Sequence, residues 1–287
     1  MKIGMCMYLW TTNVGPEHEE ILRTIKAIGF DGVEIPIFEG APYEFEQTAK
    51  LLDRIGLDRT ATSAIGNPEK NPISSDAMER RAGVDYVKWA VECAAAVGAR
   101  SLCGPLHSTL GHFSGRSPSA DELARSVEAQ RQIGEHASNY GVCVALEAVN
   151  RFECYLVNTM DALCDHVRQI GHPNIRAMYD TFHANIEETD PNSALTKNAD
   201  HIAHIHISEN DRGVPGRGHI PWPEFYAALA TTGYDNWLTI ESFGRGLPDL
   251  AAATRVWRDF AESNEAVCHD GYTHISRSME KAGLERG

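Results

Sequence analysis

The chain has 287 residues, 43% of them hydrophobic, enough to bury a full core, and α/β barrels of this length commonly form one domain. Its 26 basic against 40 acidic residues give a formal charge of −14, which disfavours nucleic acid as a partner and suits a small neutral substrate. Seven scattered cysteines with no CxxC pair argue against a disulfide framework or a zinc ribbon, and no run approaches the roughly 18 apolar residues of a membrane-spanning helix, so a cytoplasmic protein with no membrane partner is expected.

The first apolar run, residues 3–10, leads into polar TTNVGPEHEE instead of a small-residue cleavage site and reads as a strand over 3–8, not a signal peptide. A helix over about 17–28 stops at Gly29, and the same unit then recurs. A strand at 32–36 precedes a helix near 43–55, and a strand at 58–64 precedes a long helix near 75–97 that ends at Gly98. A strand at 100–104 is followed by a Ser/Asp-rich start at 117–121, which caps a helix running to about 140. Gly141 then leads into a strand at 142–147. A helix at 159–170, a strand at 175–180, a helix at 191–198, a strand at 202–208, a helix at 223–231, a strand at 237–241 and a helix at 247–261 complete the series. Eight repeated βα units imply parallel strands with right-handed crossovers, and at this length they favour a closed (β/α)8 TIM barrel over an open sheet. One domain over 1–287 is expected. Its polar tail, 262–287, is a C-terminal extension that caps the barrel, joins a subunit contact or is partly disordered.

In such a barrel the chemistry sits where strands end and βα loops begin. Four ionisable residues close apolar strands: Glu147, Asp180, His206 and Glu241, on the fifth to eighth strands. Adjacent strands lie about 4.8 Å apart, so four successive strand ends can converge on one point. Singly, each carboxylate reads as a helix cap or surface group. Together, three carboxylates and an imidazole in one small volume would repel and desolvate one another, a conflict that a divalent cation removes. Oxygen-rich coordination with one nitrogen suits Mn²⁺ or Co²⁺, with Mg²⁺ a further option. His204, two residues before His206, points to the same side of its strand and is the nearest rival ligand, whereas His201 faces away.

Glu147 and Glu241, on strands five and eight, can also act across a bound substrate. A proton beside a carbonyl is weakly acidic, so its removal needs the forming enediolate to be stabilised, as a Lewis acid does. One glutamate removes the proton and the other delivers one. Delivery to the opposite face of the same carbon gives an epimer, and delivery to the neighbouring carbon gives an aldose–ketose isomer.

The segments LEAVNRFE (146–153), MYDTFHANIEE (178–188), HIHISENDRG (204–213) and IESF (240–243) resemble, in order, those of the D-tagatose 3-epimerase family, which includes the D-psicose (D-allulose) and L-ribulose 3-epimerases of the xylose-isomerase-like TIM barrel superfamily. The resemblance implies a metal-dependent ketose 3-epimerase that works through a cis-enediolate. It places the metal ligands at Glu147, Asp180, His206 and Glu241, the acid–base pair at Glu147 and Glu241, and the substrate-hydroxyl contacts at Glu153, His183 and Arg212. A polyol is indeed recognised by donors and acceptors that the wrong stereoisomer would leave unpaired. The resemblance also implies a homodimer or homotetramer acting on a small free ketose.

Asn150 and Asn185 are candidate partners of the ligands. Trp10, Phe38, His107 and Phe243 lie near strand ends and are candidates to line the pocket. The GVPGRGHIPW segment, 213–222, reads either as a mobile lid or as a rigid turn into Trp222. Other reactions open to such a barrel are aldose–ketose or hydroxypyruvate isomerisation and inosose-type dehydration. An endonuclease would need a basic stripe. A non-catalytic sugar-binding barrel should lack one of the two glutamates, and both are present.

Overall fold

A computed structural model describes residues 1–287. Eight strands, β1 (Lys2–Cys6), β2 (Gly32–Pro36), β3 (Asp58–Thr62), β4 (Ser101–Gly104), β5 (Cys143–Glu147), β6 (Ile175–Asp180), β7 (Ile202–Ile207) and β8 (Trp237–Ile240), form a closed barrel in chain order. Every neighbouring pair is parallel, and β8 returns to β1 with Lys2 beside Trp237 and Met5 beside Ile240. The (β/α)8 expectation therefore stands. The chain belongs to this closed class because each strand is followed by a helix that returns it to the same end.

The helices are α1 (Glu19–Ile28), α2 (Pro42–Ile55), α3 (Ala77–Val97), α4 (Ala120–Tyr140), α5 (Met160–Ile170), α6 (Thr181–Glu187), α7 (Pro191–Asn198), α8 (Trp222–Ala230), α9 (Pro248–Thr254) and α10 (Asn264–Lys281). Local chemistry sets their ends. Asp76 accepts from the N–H groups of Met78 and Glu79 at the start of α3. Ser119 and Glu122 form a reciprocal capping box at α4, and Gly98 and Gly141 end these two helices in the left-handed region.

Three helices differ from expectation. α6 starts directly on the last residue of β6, where no helix is expected, because Asp180 caps it from the strand end. The helix expected over 247–261 stops at Thr254, since Arg255 takes a left-handed conformation (φ 61°) and ends it. A new helix, α10, begins after the cap at Ser263 and occupies most of the polar tail. It packs against α1, α8 and β1, and Val267, Cys268, Ile275 and Met279 join the main core. The eighth outer helix of the ring is thus α10, and α9 lies in the loop that leads to it.

Most buried apolar side chains fill the layer between strands and helices. Inside the barrel, Cys103, Ala145 and Met178 form a small cluster of their own. By period-two alternation Glu147 lies on the same strand side as Ala145, and Asp180 on that of Met178. The residues that close these strands therefore point into the mouth.

Candidate active site

The stagger between strands determines how the four strand-end residues meet. Glu147 pairs with Met178, Asp180 with His206, and His206 with Thr239, two residues before Glu241. All four side chains are buried. Asp180 Oδ2 and Glu241 Oε1 each stand 3.5 Å from His206 Nδ1. Donor atoms of Asp180, His206 and Glu241 lie within 4.8 Å of one another, as do those of Glu147, Asp180 and His183, so Asp180 links the two groups.

Asp180 serves two elements at once. Its Oδ1 accepts from the N–H of Phe182 (2.6 Å) and of His183 (3.4 Å) as the cap of α6, while Oδ2 is turned towards His206 and Ser208. Helix cap and strand-end acid are therefore the same residue.

Two buried atoms here have no hydrogen-bond partner, Glu147 Oε1 and His206 Nδ1. Orphaned buried lone pairs are costly, and their convergence with two further carboxylates is the donor set of a hard or borderline divalent cation. The residues fit such an ion. Burial, together with the charges of Asp180 and Glu241, raises the Glu147 carboxyl well above the usual range. Burial acts on Glu241 in the same direction, yet Arg212 and His206 hold its carboxylate below that range. Like groups in one pocket are thus driven apart by their neighbours.

Around this base the structure gathers Glu153, His183 and Arg212. Asn150 donates its backbone N–H to His183 Nδ1 (3.1 Å), while His183 Nε2 stands 3.0 Å from Arg212 Nη2 and 3.5 Å from Glu147 Oε1. Burial and the positive Arg212 depress the His183 pKa to about 3, so its ring is neutral. The Asn150 amide also donates to Glu153 Oε1 (2.7 Å). Arg212 donates to Glu241 Oε2, and its guanidinium lies over the rings of Phe182 (4.1 Å) and Phe243 (4.7 Å). Its backbone is left-handed (φ 61°), and its N–H and C=O are tied to Glu209 and Phe243. Arg151 pairs with Glu187 and not with Glu153.

These residues border a cavity of about 330 Å³ lined by the polar Glu147, Glu153, His183, Arg212 and Glu241 and by the apolar or aromatic Tyr8, Phe38, Leu110, Phe243 and Leu250. Tyr8 stacks between Phe38 and Phe243. Of the four pocket candidates, Phe38 and Phe243 line this space and Trp10 does not. His107 sits behind it, with Nε2 2.8 Å from the Glu147 carbonyl oxygen. Asn150 touches the site, whereas the Asn185 side chain makes no hydrogen bond there. A larger groove of about 620 Å³ between α8 and α10 contains none of the strand-end acids.

Two buried acids escape a reading of strand ends. Glu209 accepts from the N–H groups of Asn210, Gly216 and Ile220 and from Trp222 Nε1, at 2.8–3.1 Å, and so ties the 213–222 segment back to the end of β7. Glu34, in the middle of β2, reaches across the barrel to His206 Nε2 (2.8 Å) and lies 2.9 Å from His204 Nε2. A charged residue inside the otherwise apolar GVEIP is the one signal that could have found it. His204 faces inward as expected, but it joins Glu34 below the mouth and not the orphaned atoms at the mouth.

Comparison with known proteins agrees with this geometry. The profile of the xylose isomerase-like TIM barrel family matches residues 22–262. The chain is 34% identical to a ketose 3-epimerase of Arthrobacter globiformis, over 93% of each chain. It superposes on an L-ribulose 3-epimerase structure with a TM-score of 0.93 and 29% identity, covering 98% of this chain and 95% of the other. A D-allulose 3-epimerase of Methylomonas sp. in complex with D-allulose gives a TM-score of 0.91 at 25% identity, over 97% of each chain. The chain therefore belongs to the xylose isomerase-like TIM barrels and, within them, to the ketose 3-epimerases, enzymes of the isomerase class.

Proposed function

We propose that this chain epimerises free ketoses at C3, with Glu147, Asp180, His206 and Glu241 holding one divalent ion, Mn²⁺ or Co²⁺, and with Glu147 and Glu241 exchanging the proton. One observation carries the reading: the two glutamates border the same cavity, beside a His206 Nδ1 that has no other partner. The ion, when bound, supplies Lewis-acid stabilisation of the negative charge that grows on the substrate oxygens as the C3 proton leaves. Glu241, kept ionised by Arg212, is suited to take that proton. Glu147, bordering the same cavity from β5, is suited to return one to the other face. No atom is gained or lost overall, and the reverse reaction exchanges the two roles.

Glu153, His183 and Arg212 are proposed to orient the sugar through its hydroxyls. His183 offers a neutral imidazole, Glu153 an acceptor and Arg212 donors. The D-allulose bound by the Methylomonas relative supports a free ketose as the class of substrate. A homodimer or homotetramer is the proposed assembly.

The test is turnover of a panel of ketoses (fructose, psicose, tagatose, sorbose, ribulose, xylulose and erythrulose) by Mn²⁺-loaded protein in D2O, with products identified by NMR. Deuterium at C3 with inversion there is the expected result, and deuterium at C1 or C2 would replace epimerisation by aldose–ketose isomerisation. Glu147→Gln and Glu241→Gln should each abolish turnover in a folded protein. Persistent turnover in either variant would sink the two-glutamate scheme.

A further inference from the structure

We infer that Glu34 is a positioning residue for the metal site: it holds the Nε2 side of the His206 ring so that Nδ1 is the nitrogen presented to the ion. This rests on the metal site proposed above, but it concerns a residue on the opposite side of the barrel. Glu34 lies in β2 and His206 in β7, which are not neighbours in the sheet, so their contact crosses the barrel interior. Glu34 is fully buried, and both of its oxygens are engaged. Oε1 is 2.8 Å from His206 Nε2, while Oε2 accepts from Thr60 Oγ1 (3.0 Å) and Cys103 Sγ (3.2 Å) and lies 2.9 Å from His204 Nε2.

The two nitrogens of His206 therefore have different surroundings. Nε2 has a carboxylate acceptor, so it carries the ring hydrogen. Nδ1 has no hydrogen-bond partner and stands 3.5 Å from both Asp180 Oδ2 and Glu241 Oε1. A carboxylate behind a ligating imidazole fixes its tautomer and orientation and makes the ligating nitrogen a stronger donor. A carboxylate is a costly group to bury where an apolar side chain would pack, so its presence calls for a function that only a charged acceptor supplies.

A second metal held by Glu34, Cys103, His204 and His206 is the competing reading. Three of the donor separations, at 2.8, 2.9 and 3.2 Å, are hydrogen-bond distances. Tetrahedral arms of about 2.0–2.3 Å would set donors at least roughly 3.3 Å apart. The contacts of His206 and Cys103 with Glu34 thus have the spacing of hydrogen bonds and not that of ligands sharing an ion.

The wild-type test is long-range ¹H–¹⁵N correlation on histidine-labelled, Zn²⁺-loaded protein. The His206 ring should show a protonated Nε2 and a metal-bound Nδ1, and the reverse pattern overturns the inference. In parallel, Mn²⁺ affinity and the visible spectrum of the Co²⁺-loaded protein are compared in wild type, Glu34→Gln and Thr60→Val, each checked for folding by circular dichroism. Glu34→Gln should bind Mn²⁺ about 10–100-fold more weakly and shift the Co²⁺ bands. Thr60→Val, which removes one hydrogen bond to Oε2, should show a smaller loss in the same direction and serves if Glu34→Gln does not fold. A merely structural role would lower thermal stability and leave the Co²⁺ bands in place. Folded variants with wild-type affinity and spectrum overturn this inference alone, whereas a wild type that binds no divalent ion overturns the metal site as well. A stoichiometry of two ions per chain would replace the proton network by the second-metal reading.

Discussion

Arg212 and Glu241 form an ion pair that is buried on both sides, at the mouth of the barrel. Its guanidinium is gripped by two aromatic rings, and its backbone is held in a left-handed conformation that costs a non-glycine residue about 1 kcal/mol. Arg212→Ala strips Glu241 of its partner. Removing one side of a buried pair costs about 3–5 kcal/mol. The metal-free variant should therefore unfold at a clearly lower urea concentration than metal-free wild type, and turnover of the loaded variant should fall by about 100-fold or more. Arg212→Lys keeps the charge but not the planar fork, and should recover only part of either loss. Equal urea midpoints for wild type and Arg212→Ala would show that the pair does not support the fold.

The loop that carries Arg212 depends on Glu209. Burial opposes ionisation of that carboxyl, yet the N–H of Asn210, Trp222 Nε1 and the N–H groups of Ile220 and Gly216 lower its pKa. Glu209→Ala leaves these four donors without an acceptor, and each unsatisfied buried donor costs about 1–3 kcal/mol. Trypsin should then cut at exposed Arg217 much faster than in wild type, and turnover should fall with the displacement of Arg212. An unchanged cleavage rate would mean that the glycines of the segment hold the turn unaided.

His166, on α5 and outside the set of metal ligands, supplies a pH dependence. Its ring is buried, 2.9 Å from Ser126 Oγ, and burial depresses its pKa to about 4. The unfolded side chain titrates near about 6.5. Below that pH the unfolded chain gains a proton that the folded chain refuses, so stability is full above about pH 6.5 and is lost as pH falls towards 4. The loss attributable to this one residue is about 3 kcal/mol. Thermal unfolding of wild type and His166→Gln at intervals between pH 7 and 4 should show a flatter profile for the variant. Parallel profiles would assign acid sensitivity to other groups.

Much of the barrel is legible in the sequence because β5 to β8 are short apolar runs that lead into ionisable residues and α1 to α5 are each closed by a glycine. Asp180 shows the limit of that reading. As a strand end it is visible, but the helix it caps follows without a connecting loop, and TFHANIE carries no strong helix pattern. α10 is polar on most of its surface, and only the wide spacing of Val267, Cys268, Ile275 and Met279 betrays its buried face. Arg255 ends α9 through a left-handed backbone that nothing in an arginine announces. At the site, residues acting from their own strand ends could be found one at a time. Glu34 stands out only as a charge inside GVEIP, and its role is hidden because it depends on a histidine 172 residues further along the chain.

That long-range dependence also constrains how the barrel can assemble. Until β7 is in place, Glu34 has Thr60 and Cys103 for company but neither of its imidazoles. Any partial barrel built from the first four strands must keep water around that carboxylate, because drying it out unpaired costs several kcal/mol. The interior thus cannot pack strand by strand from the amino-terminal end. An isolated segment covering β1 to β4 is expected to melt without a sharp transition in calorimetry, however well its helices form, whereas the whole chain closes its interior in one concerted step that brings β2 and β7 together.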